Sequence, residues 1–256
     1  MTQQQRPVAV VTGVGRRAGI GAAIVEALAR DGWDIGFTYW RPYDDRMDWG
    51  RDEEALAAIT ADAEAYGARV HAVEADLAVV ETAGEVFAKV QGALGGVRAL
   101  VMAHCESVDS SILDTTVESW DRHFAVNARA SWLLVREFAT RFAQPHGTGR
   151  IIALTSSAIV HNVPYGASKG TLDRLMVAAA VELRELGISA NAVDPGPTQT
   201  GWMDDNLATY LKERTPLGRN GVPADCAELV AFLCSERGGW VNGQTLYSDG
   251  GFDAAR

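Results

Sequence analysis

Tyr165 and Lys169, four positions apart in Tyr165-Gly166-Ala167-Ser168-Lys169, are the residues best suited by type and spacing to do chemistry. The run from Thr171 to Glu185 that follows reads as a helix, and a separation of four puts both side chains on one helical face. A phenol loses its proton near pH ~10, so it exchanges one at neutral pH only where positive charge stabilises the phenolate. Lys169 would supply that charge, which makes the pair a candidate donor and acceptor of a proton at an oxygen atom. A second group suits phosphate. Thr12-Gly13-Val14-Gly15-Arg16-Arg17-Ala18-Gly19-Ile20-Gly21 stands between the apolar run Val8 to Val11 and a helical run from Ala22 to Ala29. Glycines there let the backbone approach a pyrophosphate closely, and the helix after Gly19 offers unpaired N–H groups and a favourable dipole. A tight turn without a ligand is the plain alternative.

These groups act together only if a fold brings them together. Short β-branched runs alternate with amphipathic stretches, and strands are predicted near 7–12, 34–39, 69–74, 98–103, 150–155, 188–193 and 244–248. Between the second and third, Leu56, Ile59, Ala63 and Tyr66 recur at helical spacing with acidic residues on the opposite face, which predicts an outer helix. The alternation predicts an α/β fold with a parallel sheet wound on both faces by right-handed crossovers. Its ligand crevice should lie at the carboxyl ends of the strands where strand order reverses. Neither an internal repeat nor a low-complexity linker divides the 256 residues, so one domain, 1–256, with a seven-stranded parallel sheet is expected. The stretches 40–51 and 195–221 read as loop-rich.

The second strand ends at Tyr39 and Trp40, where an NAD-binding fold places an Asp or Glu against the ribose hydroxyls. No carboxylate stands there to repel a 2′-phosphate, and Arg16, Arg17 and Arg41 are available as forked donors. Charge therefore favours NADP(H) over NAD(H). The alternative is that Arg41 and Arg46 pair with Asp44, Asp45 and Asp48 on a solvated loop.

The glycine turn, the Tyr-x-Ala-Ser-Lys segment and Pro195-Gly196-Pro197-Thr198-Gln199-Thr200 together resemble the short-chain dehydrogenase/reductase family, over nearly the whole chain. The resemblance is closest to 3-oxoacyl carrier-protein reductases. It implies a Rossmann fold that interconverts a carbonyl and a secondary alcohol by hydride transfer, with Tyr165 as acid and base. It also implies that Ser156, with Ser157 as runner-up, gives the carbonyl oxygen a second donor. Asn127, in Phe124-Ala125-Val126-Asn127-Ala128, would hold a water linked to Lys169; its alternative is a buried side chain bonded to helix backbone. Asp76, beside Leu77, would accept from the adenine amino group, or else cap the helix beginning near Val79. Pro195 and Gly196 would turn over the nicotinamide, with Thr198 at its carboxamide and Thr200 near the pyrophosphate. Gly13, Gly19, Ile20, Gly21, Trp40, Tyr165 and Lys169 complete the expected cofactor site, and 197–221 would be a substrate loop or lid. Val108, Trp202, Met203 and Tyr210 are further candidates for the pocket wall.

Three departures from the family pattern stand out. Five residues rather than three separate Gly13 from Gly19. Met102-Ala103-His104-Cys105 replaces Asn-Asn-Ala-Gly, so bonds that tie the strand ends must come from elsewhere. His104 there reads as a hydrogen-bonded side chain rather than as a base. The connection from Ser156 to Tyr165 is about four residues shorter than in most relatives. Two other readings remain beside the reductase. A non-catalytic nicotinamide-binding sensor or scaffold is opposed by the presence of both Tyr165 and Lys169. An enoyl reductase is favoured by the enlarged glycine loop and opposed by the four-residue Tyr–Lys spacing.

Composition removes other classes. A formal charge of −10 with scattered basic residues argues against nucleic acid as a partner. No apolar run is long enough to span a bilayer. The polar start lacks the order of a signal peptide, so a cytoplasmic location is expected. Three cysteines without paired or Cys/His spacing suggest neither a disulfide framework nor a metal site. The expected partners are a small carbonyl or alcohol and, by the resemblance, further copies of the chain in a homotetramer or homodimer.

Overall fold

A computed structural model describes residues 6–158 and 160–255. Seven strands form one sheet: β1 (Val8–Thr12), β2 (Asp34–Tyr39), β3 (Val70–Glu74), β4 (Val97–Met102), β5 (Gly149–Leu154), β6 (Ile188–Asp194) and β7 (Thr245–Tyr247). Their spatial order is β3-β2-β1-β4-β5-β6-β7, and every neighbouring pair is parallel. The near-continuous apolar runs of the central strands follow from burial on both faces. Alternate residues feed two cores. Val8, Val10, Leu100, Met102, Ile151 and Ala153 pack towards α4 (Thr82–Leu94), α6 (Ala130–Arg141) and α7 (Val163–Glu182). Ala9, Val11, Ala99, Val101, Ile152 and Leu154 pack towards α1 (Ile20–Arg30), α3 (Ala55–Ala65) and α9 (Pro223–Cys234). This is the doubly wound Rossmann fold that the alternation of strand and helix predicts.

The chain winds outward from β1 through β2 to β3, then returns past β1 to start β4 on its other side. The reversal opens a crevice beyond the carboxyl ends of β1 and β4. Both stretches read as loops contain a helix: α2 (Arg41–Asp45) and α8 (Asp205–Arg214). Pro42 opens the first, and Asp204 starts the second by accepting the Leu207 N–H at 2.7 Å. Helix α8 buries none of its residues, so it carries no apolar stripe from which periodicity could reveal it. Between α5 (Val117–His123) and α6 the backbone widens into a π-helical segment, Phe124–Arg129, which carries Asn127. Such segments are rare and concentrate at functional sites.

Candidate active site

The crevice is narrow at its floor for a steric reason. Gly13, at φ +78°, packs so closely on the end of β4 that a Cβ would lie 2.5 Å from the His104 Cα. Only glycine meets both demands. Gly15 faces the Asp44 carboxylate, 2.6 Å from where its Cβ would be. Helix α1 then starts at Ile20 behind Gly19, without a side-chain cap, so the N–H groups of its first turn remain available to an anion.

Above this floor lies a cavity of about 450 Å³. Gly13, Arg16, Gly19, Ile20, Gly21, Trp40, Asp76 and Leu77 line it. Ser156, Tyr165, Lys169, Pro195, Gly196, Thr198 and Thr200 line it as well. A glycine cradle at a helix amino terminus, leading to a proton-transfer pair, fits a dinucleotide in shape and in chemistry.

Pro164, in the first turn of α7, starts the helix that carries Tyr165 and Lys169, and their one-turn spacing brings the ammonium to 5.9 Å from the phenol ring centre. Lys169 is buried. Its Nζ donates to the Leu154 carbonyl at 2.7 Å and to that of His104 at 3.4 Å, so the ends of β4 and β5 aim it. Burial pushes its pKa down, while Cys105 and Asp194 push it up. Burial likewise holds the Tyr165 phenol well above its ordinary range, with Cys105 and Asp194 adding to the rise, while the Ser156 hydroxyl opposes it. The protein's own groups therefore keep the phenol protonated at neutral pH, contrary to the lowering expected from Lys169 alone, because desolvation of the phenolate is the larger effect.

Ser156 lines the same cavity as Tyr165, and its Oγ accepts the Ala158 N–H at 3.2 Å. Asn127 lies behind the cavity wall rather than on it. Its Oδ1 accepts the Glu106 N–H at 2.7 Å, and its Nδ2 donates to the Glu106 carbonyl and to Ser168 Oγ, both at 2.9 Å.

The family model described as enoyl-(acyl carrier protein) reductase matches residues 13–253. An uncharacterized oxidoreductase of Bacillus subtilis, YjdA, is 35% identical over 98% of this chain and 99% of its own. The chain belongs to the short-chain dehydrogenase/reductase family. An L-rhamnose 1-dehydrogenase (NAD(P)(+)) of a Sphingomonas species is 32% identical over 94% of this chain and 92% of its own. Among solved structures, a blue fluorescent protein from a metagenomic library in complex with NADPH superposes with a TM-score of 0.85 at 31% identity, covering 98% of this chain and 99% of that one.

Within this short-chain dehydrogenase/reductase, the histidine of the segment that stands in place of Asn-Asn-Ala-Gly has a definite task. His104 Nε2 lies 3.0 Å from the Val126 carbonyl, which can only accept, so Nε2 carries the proton and Nδ1 accepts from the Thr12 hydroxyl at 2.6 Å. One ring thereby ties β1 to the π-helical segment. The arginines divide. Arg16 lines the cavity, donates to the Thr200 carbonyl at 3.0 Å, lies 4.1 Å from the Trp49 ring centre and is 3.9 Å from Asp44. Arg17 points to the surface and pairs with Asp62, and Arg41 stacks on Tyr39; neither lines the cavity.

Asp76 accepts the Ala78 N–H at 2.9 Å and pairs with Arg122, so it shapes the turn before α4 while lining the cavity. Trp202 and Met203 line the cavity with Leu211, whereas Val108 and Tyr210 lie outside it. Sequence reasoning missed Asp44, Glu106 and Asp194 as wall residues. Glu106 is buried and pairs with Arg46 and Arg122, contacts that join three separate elements and leave no local pattern. Asp194 stood in plain view before Pro195, and its polarity at the end of a buried strand was the available signal.

Proposed function

We propose that the protein reduces a carbonyl to a secondary alcohol, or catalyses the reverse oxidation, with NADP(H) as its cofactor and Tyr165 as the group that moves the proton. The observation that carries this reading is the presence of the Ser156 and Tyr165 hydroxyls on the wall of one cavity, with the Lys169 ammonium one helical turn along from the phenol. Two converging hydroxyls suit a carbonyl oxygen on which negative charge grows. NADP(H), when bound, exchanges the hydride with the carbonyl carbon. Ser156 steadies the oxygen, Tyr165 gives up its proton as the alkoxide forms, and the Lys169 ammonium offsets the charge left on the phenolate. Asn127 acts from behind, fixing the Glu106 backbone and Ser168 beside Lys169.

Gly13, Gly19, Ile20 and Gly21 would hold the pyrophosphate with Thr200, while Asp76, Leu77 and Trp40 enclose the adenosine. Pro195, Gly196 and Thr198 would border the nicotinamide. The preference for NADP(H) is supported by Tyr39 and Trp40 at the end of β2 and by the position of Arg16, whose charge must outweigh Asp44 beside it. Residues 197–221, with α8, would cover the substrate end through Trp202, Met203 and Leu211. Exposed Trp132, Val177 and Val181 on α6 and α7 support association into a homotetramer or homodimer. Three free thiols suit a reducing cytoplasm, and among the described residues no helix is long and apolar enough to cross a membrane.

The test is NADPH oxidation with ketones, quinones, a 3-oxoacyl thioester and a 2-enoyl thioester, by wild type and Tyr165→Phe. Turnover of a carbonyl by wild type, its loss in the variant, and NADPH binding within about twofold support the assignment. Substantial residual turnover in Tyr165→Phe refutes the role of the phenol. Turnover of the enoyl thioester alone would favour the activity named by the family model.

A further inference from the structure

We propose that Asp194 is a positioning residue of the reaction, its buried carboxylate tying the loop that carries Ser156 to the turn that follows β6. The inference rests on the proposed roles of Ser156 and Tyr165. Asp194 is the last residue of β6 and only 3% exposed, yet it lines the cavity with both of them. One carboxylate oxygen, Oδ2, accepts the Ser157 N–H at 2.7 Å. The other, Oδ1, accepts the Gly196 N–H at 2.9 Å. Each oxygen thus holds a different loop.

The two loops need such a tie for different reasons. Ser156 and Ser157 lie beyond the end of β5, outside any helix or strand, on the connection to α7. The sheet does not fix them. Gly196 adopts φ +57°, and a Cβ there would lie 2.3 Å from that of Asp249, so the turn after β6 is pressed against the C-terminal segment and cannot shift freely. A carboxylate bound to this rigid turn gives the serine loop a fixed anchor. The bond from the Ser157 amide sets the backbone one residue from Ser156, which lines the cavity with Tyr165. Burial pushes the Asp194 pKa up, with Asp253 adding to the rise, while the bonds from the Gly196 amide and from Ser157 oppose it, as expected where donors stabilise an enclosed charge. A neutral side chain of the same shape cannot do both jobs. In an asparagine one of the two positions becomes an NH₂ donor facing an N–H, so one loop is released.

If Asp194 acts through Ser156, its removal should matter only while Ser156 is present. The experiment is a double-mutant cycle of Asp194→Asn and Ser156→Ala, read as kcat for carbonyl reduction, with NADPH affinity followed by fluorescence. Asp194→Asn is expected to lower kcat about tenfold in wild type and at most about twofold in the Ser156→Ala background, with NADPH affinity within about threefold in both. An equal loss in the two backgrounds, or no loss in wild type, overturns the proposal.

Residue-resolved amide exchange on the unmodified protein gives a second readout that needs no folded variant. The Ser157 amide should exchange at least about tenfold more slowly than an unbonded loop amide, and exchange at the unprotected rate overturns the tie. Tyr165→Phe is assayed alongside. Activity retained there defeats the functional reading, whereas an inactive Tyr165→Phe beside an Asp194→Asn that matches wild type defeats this inference alone.

Discussion

Replacing His104 with asparagine should make the protein less stable at neutral pH yet far less sensitive to mild acid. Burial and the Lys169 ammonium together push the His104 pKa down from 6.5 to about 3, against a smaller opposing effect of the Val126 carbonyl. In the unfolded chain the imidazole takes up its proton as pH falls through 6.5, whereas in the folded chain it stays neutral until about 3. Between those values the unfolded state binds more protons, so stability falls as pH falls through that window. From pH 7 to pH 5 the ring alone removes about 2 kcal/mol, the free energy of protonating a group of pKa near 6.5 in the unfolded chain only. An asparagine in its place cannot titrate. It also cannot span Thr12 and Val126 as the ring does, so the variant should lose about 1–3 kcal/mol at pH 7 for a buried group left unpaired. Denaturant unfolding of both proteins at pH 7 and pH 5 measures the difference between the two pH dependences, in which all other titrating groups cancel. The wild type should lose about 2 kcal/mol more than His104→Asn. Parallel losses, within about 0.5 kcal/mol, would show that His104 is not held neutral by the fold and would refute the argument.

Two further outcomes follow from the wall of the cavity. Arg16→Ala should raise the Michaelis constant for NADPH about tenfold or more relative to that for NADH, because Arg16, unlike Arg17 and Arg41, lines the cavity. Arg17→Ala, which loses only an exposed pair with Asp62, should leave the ratio of the two constants within about twofold in the same steady-state assay. Asn127→Ala strips bonds from both backbone groups of Glu106 and from Ser168, and should cost about 2–4 kcal/mol in denaturant unfolding at pH 7. A loss below about 1 kcal/mol would mean that the π-helical segment is held by something other than Asn127.

What the sequence reveals here depends on whether an interaction is local. Tyr165 and Lys169 were legible because one helical turn joins them, and the glycine turn because strand, turn and helix follow one another without interruption. The strands were legible because residues such as Val8 to Val11 are buried on both sides and so form unbroken apolar runs. Helix α8 was missed because a helix that buries nothing has no reason to be periodic. The remainder of the site is assembled from pairs that meet only in the folded chain. His104 bonds Thr12 across 92 residues, and Asp194 bonds Ser157 across 37. The sequence could therefore mark the absence of the family's asparagines, but only the side-by-side pairing of β1 and β4 explains how one imidazole ties Thr12 to Val126. The same geometry makes Arg16 and Arg17, adjacent and alike in sequence, unequal: one turns into the crevice and the other into solvent. A motif identifies which residues can do the chemistry, and the contacts between distant loops decide which of them are held where it occurs.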